Sequence, residues 1–335
     1  MRKQLYANEH VFLELSPKWR NLLMGAASSY IFLTPQFLSV WWKYFGAGEL
    51  IILGIDNEDK KLSAIFPLHS IKLADNRTQL SFLGDLSVSD YLDVIIPEEN
   101  LETSWDVFEQ FLSENQEWNL LDLISIPEAS STRKFLEKIA LRQNWKYQAS
   151  QQTVCPIITL PSSWDQYLIQ VGKKQRHEIR RKWKNLSEAV KLSFSVIENG
   201  PEVSQAAEDF IRLHQLSSAE KASFWHSKLV SYFTDLIKIA AEEGWLKLYF
   251  LEVEGVRAAT MLCFSYNNQT YVYNSGFDAA KFGHLGVGQV LISYTIQQAI
   301  ELGHSRYDFL RGDEDYKFRF GAKPEAVFDI HIQRT

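Results

Sequence analysis

The chain has 335 residues and a net charge of −6, with 46% hydrophobic and 23% charged side chains, which is typical of a globular protein large enough for two domains. No apolar run approaches the roughly eighteen residues of a transmembrane helix, and the early charges at the N-terminus do not fit a secretory signal peptide. Cys155 and Cys263 lie in apolar, strand-like runs, so we expect reduced core thiols and a cytoplasmic protein.

The first half of the chain predicts a hairpin followed by a helix and a strand. Residues 50–55 and 62–68 are apolar runs on either side of the turn-like residues 56–59. A helical pattern follows at residues 101–112, and a strand pattern at residues 119–124. This is the order of elements in an α/β unit.

The second half of the chain repeats this order. Apolar strand patterns at residues 246–253 and 256–266 flank Glu254-Gly255, and a third strand pattern follows at residues 271–275. A helix at residues 287–302 then leads to a strand at residues 306–310. A tandem duplication is one interpretation, and a coincidental likeness of two α/β patterns is the other.

The domain boundary is predicted within residues 150–163, where a strand leads into a turn and a helix cap. We therefore expect an N-terminal domain over residues 1–155 and a C-terminal domain over residues 156–335.

A basic helix is predicted at residues 165–188. It carries one apolar stripe, formed by Ile179, Trp183, Leu186 and Val190. Residues 173–184 hold seven Lys or Arg against one Glu, a local charge of +6 that leaves −12 for the rest of the chain. Either this is a solvated helix face, or Arg176 and Arg180 bind a polyanion such as a CoA phosphate, a lipid-diphosphate sugar, a tRNA acceptor end or an anionic membrane.

A glycine turn precedes the helix of the second half. Gly283, Gly286 and Gly288 stand before the apolar residues 290–302, where backbone N–H groups and the helix N-terminus can bind a pyrophosphate. The simpler alternative is an ordinary turn. The candidate ligand-binding residues are Gly283, His284, Gly286, Val287, Gly288 and Gln289.

An acidic and aromatic loop follows the last predicted strand of the second half, in the run YDFLRGDEDYKFRFG. Asp308 or Glu314 could deprotonate an attacking amine, and the Tyr316 phenol could protonate a departing thiolate. Lys317 could stabilise an oxyanion or a phosphate. The alternative is an ion-paired surface loop, and no metal site is expected because no histidine accompanies the carboxylates.

These motifs carry a family resemblance. The glycine turn with GFD before it and YDFLRGDEDYKFRFG after it resembles the GNAT-like domain of the CelD/FemAB-related acyltransferases. The basic run KKQRHEIRRKWKNL, FIRLH at residues 210–214 and TPQFLSVWWKYFG in the first half are also similar to that family. The resemblance implies an α/β (α+β) fold with two tandem GNAT-like domains, whose mostly antiparallel sheets are flanked by helices. It implies that the first domain is degenerate and that the second keeps the donor site.

The resemblance also implies roles for single residues. Gly286 and Gly288 match the family turn [Q/R]xxGx[G/A], which holds the CoA pyrophosphate, whereas Gly283 stands where Gln or Arg is usual. Tyr316 lies where many GNAT enzymes keep a general-acid tyrosine, and Lys317 resembles a FemAB-type lysine that contacts a carbonyl or phosphate. Glu314 belongs to the same motif.

The sequence therefore predicts a GNAT-type N-acyltransferase that uses acyl-CoA (acetyl-CoA) as cosubstrate and no metal. The expected acceptor is a small-molecule or glycan-precursor amine, an amino sugar or amino acid in cell-envelope or exopolysaccharide biosynthesis. His214 is either an acceptor-side base or a partly exposed helix histidine. The alternatives are an aminoacyl-tRNA-dependent transferase and a non-catalytic scaffold of a polysaccharide synthesis complex; no DNA partner is expected.

Overall fold

The computed structural model describes residues 2–334, which divide into two compact units. The first unit consists of residues up to Val154 together with residues from Glu325 onward, and the second is Cys155–Pro324. The chain therefore returns to the first unit from Glu325 onward. A single domain boundary near residue 155 does not describe this return. Within residues 2–334, no helix combines the length and the hydropathy that spanning a bilayer requires.

The first unit is a mixed sheet covered by helices. Its strands are β1 (Arg2–Tyr6), β2 (Glu49–Asp56), β3 (Leu62–Lys72), β4 (Thr78–Phe82), β5 (Leu120–Pro127), the first part of β6 (Lys146–Thr159), and β12 (Lys323–Gln333). Its helices are α1 (Val11–Glu14), α2 (Ser16–Gly25), α3 (Pro35–Phe45), α4 (Leu101–Glu114) and α5 (Thr132–Gln143). Strands β1, β2, β3, β4, β5 and β12 are neighbours in that order, and β4 and β5 pair in parallel while the other pairs are antiparallel.

The predicted hairpin and helix of the first half are confirmed, and one aromatic cluster joins them. The ring of Phe66 on β3 stacks on Phe108 of α4 at 4.2 Å and meets Trp105 edge-on at 5.4 Å. All three side chains are buried. Aromatic contacts of this kind each add about 1 kcal/mol beyond the burial of apolar area.

The second unit repeats this plan. Its strands are the end of β6, β7 (Leu192–Ile197), β8 (Leu246–Val253), β9 (Val256–Tyr266), β10 (Gln269–Phe277) and β11 (Arg306–Asp308). Its helices are α6 (Trp164–Gln170), α7 (Lys173–Ala189), α8 (Val203–Gln215), α9 (Ala219–Phe224), α10 (Ser227–Glu242), α11 (Ala279–Phe282), α12 (Val287–Glu301) and α13 (Asp315–Arg319). The strand order is β6-β11-β10-β9-β8-β7, and β10 pairs with β11 in parallel. The predicted α/β class, with largely antiparallel sheets and flanking helices in both halves, is confirmed.

Helices cover both faces of the second sheet. Met261 and Cys263 on β9 belong to the apolar core that α12 closes. Phe264, the next residue, points the other way: its ring contacts Tyr273, which in turn contacts Phe233 of α10. Because successive side chains of a strand alternate between faces, α12 and α10 lie on opposite sides of the sheet. Helix α7 packs on α12, and α8 packs on β9, β10 and α10.

The basic helix predicted at residues 165–188 is instead two helices, α6 and α7. They are separated at Gly172, whose φ of 86° and ψ of 160° are essentially restricted to glycine. The predicted apolar stripe does lie on α7, since Ile179 and Leu186 are buried and Trp183 packs against Phe194.

Candidate functional site

Strands β10 and β11 pair over a short stretch only. The register joins Gln269–Tyr271 to Arg306–Asp308, where β11 ends, whereas β10 continues to Phe277. The pairing of β10 with β9 also shifts register between Val272 and Asn274, which marks a bulge. The second half of β10 therefore runs on without β11 beside it. In sheets of this kind, ligands bind at the carboxyl ends of the parallel strands.

In the first unit, the chain bridges β3 and β5 beyond the end of β4. Beyond the end of β4, Ile95 exchanges both backbone hydrogen bonds with Ile65 of β3, at 2.9 Å each. Leu92 N–H donates to the carbonyl of Ser125 on β5 at 3.0 Å. Residues 92–95 thus continue the pairing with β3 beyond the end of β4 and also contact β5.

The glycine turn leads from β10 into α12. Residues Gly283–Leu285 form a single 3₁₀ turn, and Gly286 then adopts a left-handed conformation with φ of 72° immediately before α12. Gly283 and Gly288 have ordinary φ values, and a Cβ at either would lie 3.6 to 3.8 Å from the Phe277 ring, an ordinary contact. Of these three glycines, only Gly286 has a backbone conformation that favours glycine over other residues. Since the first N–H groups of a helix have no intrahelical partner, this N-terminus can bind an anion.

Helix α7 and the start of α12 form the two sides of a cleft of about 910 Å³ in the second unit, called the basic cleft below. Of the sequence-predicted site residues, Gln289 and Tyr316 line it. The complete lining is Lys173, Lys174, Gln175, His177, Glu178, Ile179, Lys182, Gln289, Ser293, Tyr316, Arg319 and Phe320.

The basic cleft has a positive balance of charge. Three lysines of α7 and Arg319 face one carboxylate, Glu178. Arg181 binds that carboxylate at 2.7 Å and holds the pKa of Glu178 below its usual value. Lys182 Nζ lies 3.6 Å from the point that a Cβ on Gly286 would occupy. The basic helix and the glycine turn, predicted separately from the sequence, therefore lie next to each other: Lys182 lines the cleft and approaches Gly286, whereas the glycines of the turn do not line it.

The predicted arginines of α7 do not line this cleft. Arg180 lies in a separate groove with Trp164 and Trp183, and Arg176 lines neither. The cleft side of α7 instead presents Lys182, three residues after the buried Ile179. Residues three and four apart share a helix face, so the apolar stripe could have identified Lys182 from the sequence.

Tyr316 is the half-buried phenol of the basic cleft. It lies on the short helix α13, and its ring meets Phe309 edge-on at a centroid distance of 6.1 Å. Burial, and secondarily the charge of Glu314, raise the pKa of Tyr316 far above its usual value. The phenol therefore stays protonated at neutral pH and can donate a proton or a hydrogen bond.

Lys317 and Asp308 lie inside the loop that follows β11. The Lys317 ammonium, 3% exposed, donates to the carbonyls of Leu310, Arg311 and Gly312 at 3.2, 2.7 and 3.2 Å. The fully buried Asp308 carboxylate accepts the N–H of Leu310 at 2.7 Å, where φ is 58°. These contacts fix the shape of the loop; the catalytic roles predicted for both residues stay predictions.

Glu314 is an accessible carboxylate of this loop. Its side chain is 57% exposed and pairs with Lys317 at 2.9 Å. Its charge also acts on Lys221 of α9, counteracting the burial that lowers the pKa of Lys221. Sequence reasoning did not single out Lys221, since it lies far from the loop in sequence.

His214 is buried on the opposite side of the sheet from α12, not partly exposed as one interpretation of the sequence had it. It is 3% exposed, its Nδ1 accepts from the Trp225 indole at 2.9 Å, and its Nε2 lies 2.9 Å from Asn274 Oδ1. Burial, aided by the charge of Lys221, lowers the pKa of His214 to about 4. The imidazole is therefore neutral at neutral pH, with both nitrogens engaged.

Much of the second unit matches a known protein family. Residues 173–318 match the family described as acetyltransferase (GNAT) domain, a range that contains the glycine turn and all residues that line the basic cleft except Arg319 and Phe320. No curated protein matches the chain.

Solved structures show the same fold over nearly the whole chain. FemX aligns with 98% of this chain and 97% of its own, at 11% sequence identity and a TM-score of 0.67. The C-terminal domain of a putative lysylphosphatidylglycerol synthetase from Agrobacterium fabrum covers 96% and 92%, at 11% identity and a TM-score of 0.59. A tandem GNAT protein from the clavulanic acid biosynthesis pathway covers 98% of both chains, at 10% identity and a TM-score of 0.51. At these identities the likeness concerns the fold alone.

Proposed function

We propose, from the match of residues 173–318 to the GNAT acetyltransferase domain, that this protein transfers an acyl group from acyl-CoA to an amine. The observation that carries the proposal is the meeting of three features in the basic cleft. These are the cations of α7, the protonated phenol of Tyr316, and the first turn of α12, whose preceding Gly286 lies beside Lys182.

The residues of the basic cleft fit the anionic part of CoA. The N-terminus of α12 and the Gly286 turn would hold one phosphate group, with Lys182 beside them. Lys173, Lys174 and Arg319 would meet the remaining negative charge. Bound acyl-CoA supplies an activated thioester carbonyl, and the protein supplies position and proton transfer.

Two side chains of the loop after β11 would move the protons. The accessible Glu314 carboxylate would accept a proton from the attacking amine, and the Tyr316 phenol would give one to the leaving sulfur. Lys317 would act mainly through the loop, because its ammonium already binds three carbonyls. This refines the role that the family resemblance implies for Lys317.

The proposed acceptor is an amino sugar or an amino acid used in cell-envelope or exopolysaccharide biosynthesis. The support is the resemblance to CelD/FemAB-related proteins together with the full-length likeness to FemX. Membership of the CelD-like subgroup itself stays a prediction.

A second candidate is aminoacyl transfer from tRNA. It is supported by the basic surface of α7 and by the fold shared with FemX and with a putative lysylphosphatidylglycerol synthetase. Phosphate contacts to a nucleic acid make binding strongly dependent on salt, which provides a means to separate the two donors.

The test is donor binding and turnover by the purified protein. We expect CoA and acetyl-CoA to raise the melting temperature, and Lys182→Ala to weaken CoA binding about tenfold, since one charge-assisted phosphate contact is removed. Lys184→Ala is the matched control, because Lys184 is 71% exposed on the same helix and does not line the cleft.

Tyr316→Phe tests proton transfer. It should lower kcat for acetyl transfer to a panel of amines, while the affinity for CoA stays unchanged.

Equal CoA affinity in Lys182→Ala and Lys184→Ala would contradict the placement of the donor in the basic cleft. A salt-sensitive shift with tRNA and none with CoA would favour the second candidate. Binding of neither donor at millimolar concentration would favour a non-catalytic scaffold.

A further inference from the structure

A third element, α13, lines the basic cleft together with α7 and α12. It supplies Tyr316 and Arg319, and Phe320 follows at its C-terminal end. A helix of five residues is much shorter than helices that are stable in isolation, so the position of α13 depends on what holds its ends. The proposed proton donor, Tyr316, therefore stands on an element that the rest of the second unit must fix.

Tyr167 of α6 holds the C-terminal end of α13. Its phenol donates a hydrogen bond to the Phe320 carbonyl at 2.8 Å. The last carbonyls of a helix have no intrahelical partner, and this bond supplies one. Tyr167 is fully buried, and burial raises the pKa of its phenol, so the hydroxyl keeps the hydrogen that it donates.

The hold on Phe320 is passed on to Tyr316 within α13. The N–H of Phe320 donates to the Tyr316 carbonyl at 3.3 Å and to the Lys317 carbonyl at 3.1 Å. The Phe309 ring contacts both the Tyr316 ring, at a centroid distance of 6.1 Å, and the Phe320 ring, at 6.5 Å. A displacement of Phe320 therefore moves Tyr316 unless these contacts break.

The same helix, α6, also sets the start of α7. Val171 and Gly172 follow α6 directly, and Lys173 and Lys174 of the basic cleft come next. Val171 packs on the turn after α13, because a Cβ on Gly321 would lie 3.5 Å from the Val171 Cγ2. Helix α6 thus joins the side of the cleft that carries the lysines to the side that carries the phenol.

We propose that Tyr167 is a positioning residue for acyl transfer, whose bond to Phe320 keeps the Tyr316 phenol at a fixed distance from the side of the cleft that would hold the donor. The inference rests on the proposed function for its effect on catalysis, whereas the hold of Tyr167 on α13 is independent of any substrate. Tyr167 is buried behind the residues that line the basic cleft, so it acts only through them.

The first experiment compares Tyr167→Phe, which removes only the hydroxyl, with Tyr307→Phe. Tyr307 is the matched control, because it is equally buried in the same core and its hydroxyl lies 2.8 Å from that of Thr295, away from the cleft lining. Both variants should lower the melting temperature by about 2–4 °C, the effect of one buried hydrogen bond. Only Tyr167→Phe should speed amide hydrogen exchange in residues 315–321.

The second experiment is a double-mutant cycle with Tyr316. Tyr167→Phe alone should lower kcat roughly tenfold with CoA affinity nearly unchanged, because a small misplacement of a reacting group slows the chemical step more than it weakens binding. In a Tyr316→Phe background, the same substitution should lower kcat no further, since the phenol that Tyr167 positions is already absent. Tyr307→Phe should leave kcat unchanged in both backgrounds.

Unchanged exchange in residues 315–321 for Tyr167→Phe would overturn the proposal, as would a kcat equal to that of the unaltered protein. An equal fall in kcat in both backgrounds would show that Tyr167 does not act through Tyr316, and would overturn it too. Absence of acyl transfer by the unaltered protein would refute the proposed function instead, and the exchange measurement would still decide whether Tyr167 fixes α13.

Discussion

At the scale of single residues, the most deeply buried carboxylate described in the first unit is that of Asp93. It is 1% exposed and accepts hydrogen bonds from the hydroxyls of Ser28 and Thr132 and from the Val94 N–H. Burial raises the pKa of Asp93, although the hydrogen bonds act in the opposite direction. The carboxyl therefore stabilises the start of α5 through its hydrogen bond with Thr132, while its buried charge opposes folding at neutral pH.

This predicts a pH-dependent gain of stability in Asp93→Asn. A group whose pKa is higher in the folded state favours folding at low pH, and this contribution is lost as the pH rises through the folded pKa. The free energy of unfolding of the natural protein should therefore fall relative to that of Asp93→Asn as the pH rises above the usual aspartate range. Urea denaturation of both proteins between pH 4 and pH 8 measures it.

Asp93→Ala is the companion variant. It leaves the Ser28, Thr132 and Val94 donors without their acceptor, so we expect a loss of about 2–4 kcal/mol at low pH. The loss should become smaller as the pH rises, because the natural protein is then itself destabilised by the buried Asp93 charge. A constant difference between the natural protein and Asp93→Asn across the pH range would contradict the buried-charge account.

At the scale of elements, Gly172 decides where the basic helix begins. Its φ of 86° and ψ of 160° turn the chain between α6 and α7, and a Cβ there would meet no atom within 4 Å. The requirement for glycine is thus conformational and not steric. It sets the direction from which α7 approaches α12 and, with it, the position of the cleft-lining lysines.

We predict that Gly172→Ala destabilises the protein by about 1–3 kcal/mol, the usual strain of a non-glycine residue in this backbone region. CoA affinity should also fall, because α7 must shift to relieve the strain. Thermal denaturation and CoA titration measure the two effects. Gly25→Ala, at the end of α2 with an ordinary φ, is the control and should change neither; equal behaviour of the two variants would contradict the prediction.

The elements themselves are largely predictable from the sequence. β8 and β9 have their predicted bounds, because two apolar runs flank Glu254 and Gly255, both of which adopt the positive φ of a tight turn. The break at Gly172 was missed, since the helical period continues across it. Hydrophobic periodicity detects neither an isolated positive φ nor the end of a helix when only two residues separate it from the next helix.

The candidate site was predictable in its location but not in the state of its groups. Gln289, which follows the glycine turn, and Tyr316 of the YDFLRGDEDYK motif line the same cleft, and their roles stay predictions. The burial of Lys317 depends on three loop carbonyls, and the burial of His214 depends on Trp225 folding back over it. Neither contact leaves a periodic signal in the sequence. Which polar groups face a ligand and which hold the fold is settled by tertiary packing.

At the scale of the whole molecule, the chain leaves the first unit along β6, forms the second unit, and returns to the first as β12. Val327, Ile330 and Ile332 of β12 are buried in the first unit, and the strand pairs with β5 from Pro127 to Leu120. The side chain of Asp329 accepts the Ser125 N–H at 3.1 Å. The first unit therefore contains both β1 and β12, and its core is completed by β12.

A chain that ends at Pro324 should consequently fail to fold its first unit. Three buried aliphatic side chains contribute about 5–9 kcal/mol, which is comparable to the whole stability of an ordinary domain. We expect the shortened chain to be insoluble or to be cleaved throughout residues 2–154 by limited proteolysis. Ile330→Asp in the full chain should show the same cleavage, whereas Gln333→Ala, at an exposed position of the same strand, should remain resistant. A protease-resistant fragment over residues 2–154 in the shortened chain would show that the first unit folds without its returning strand.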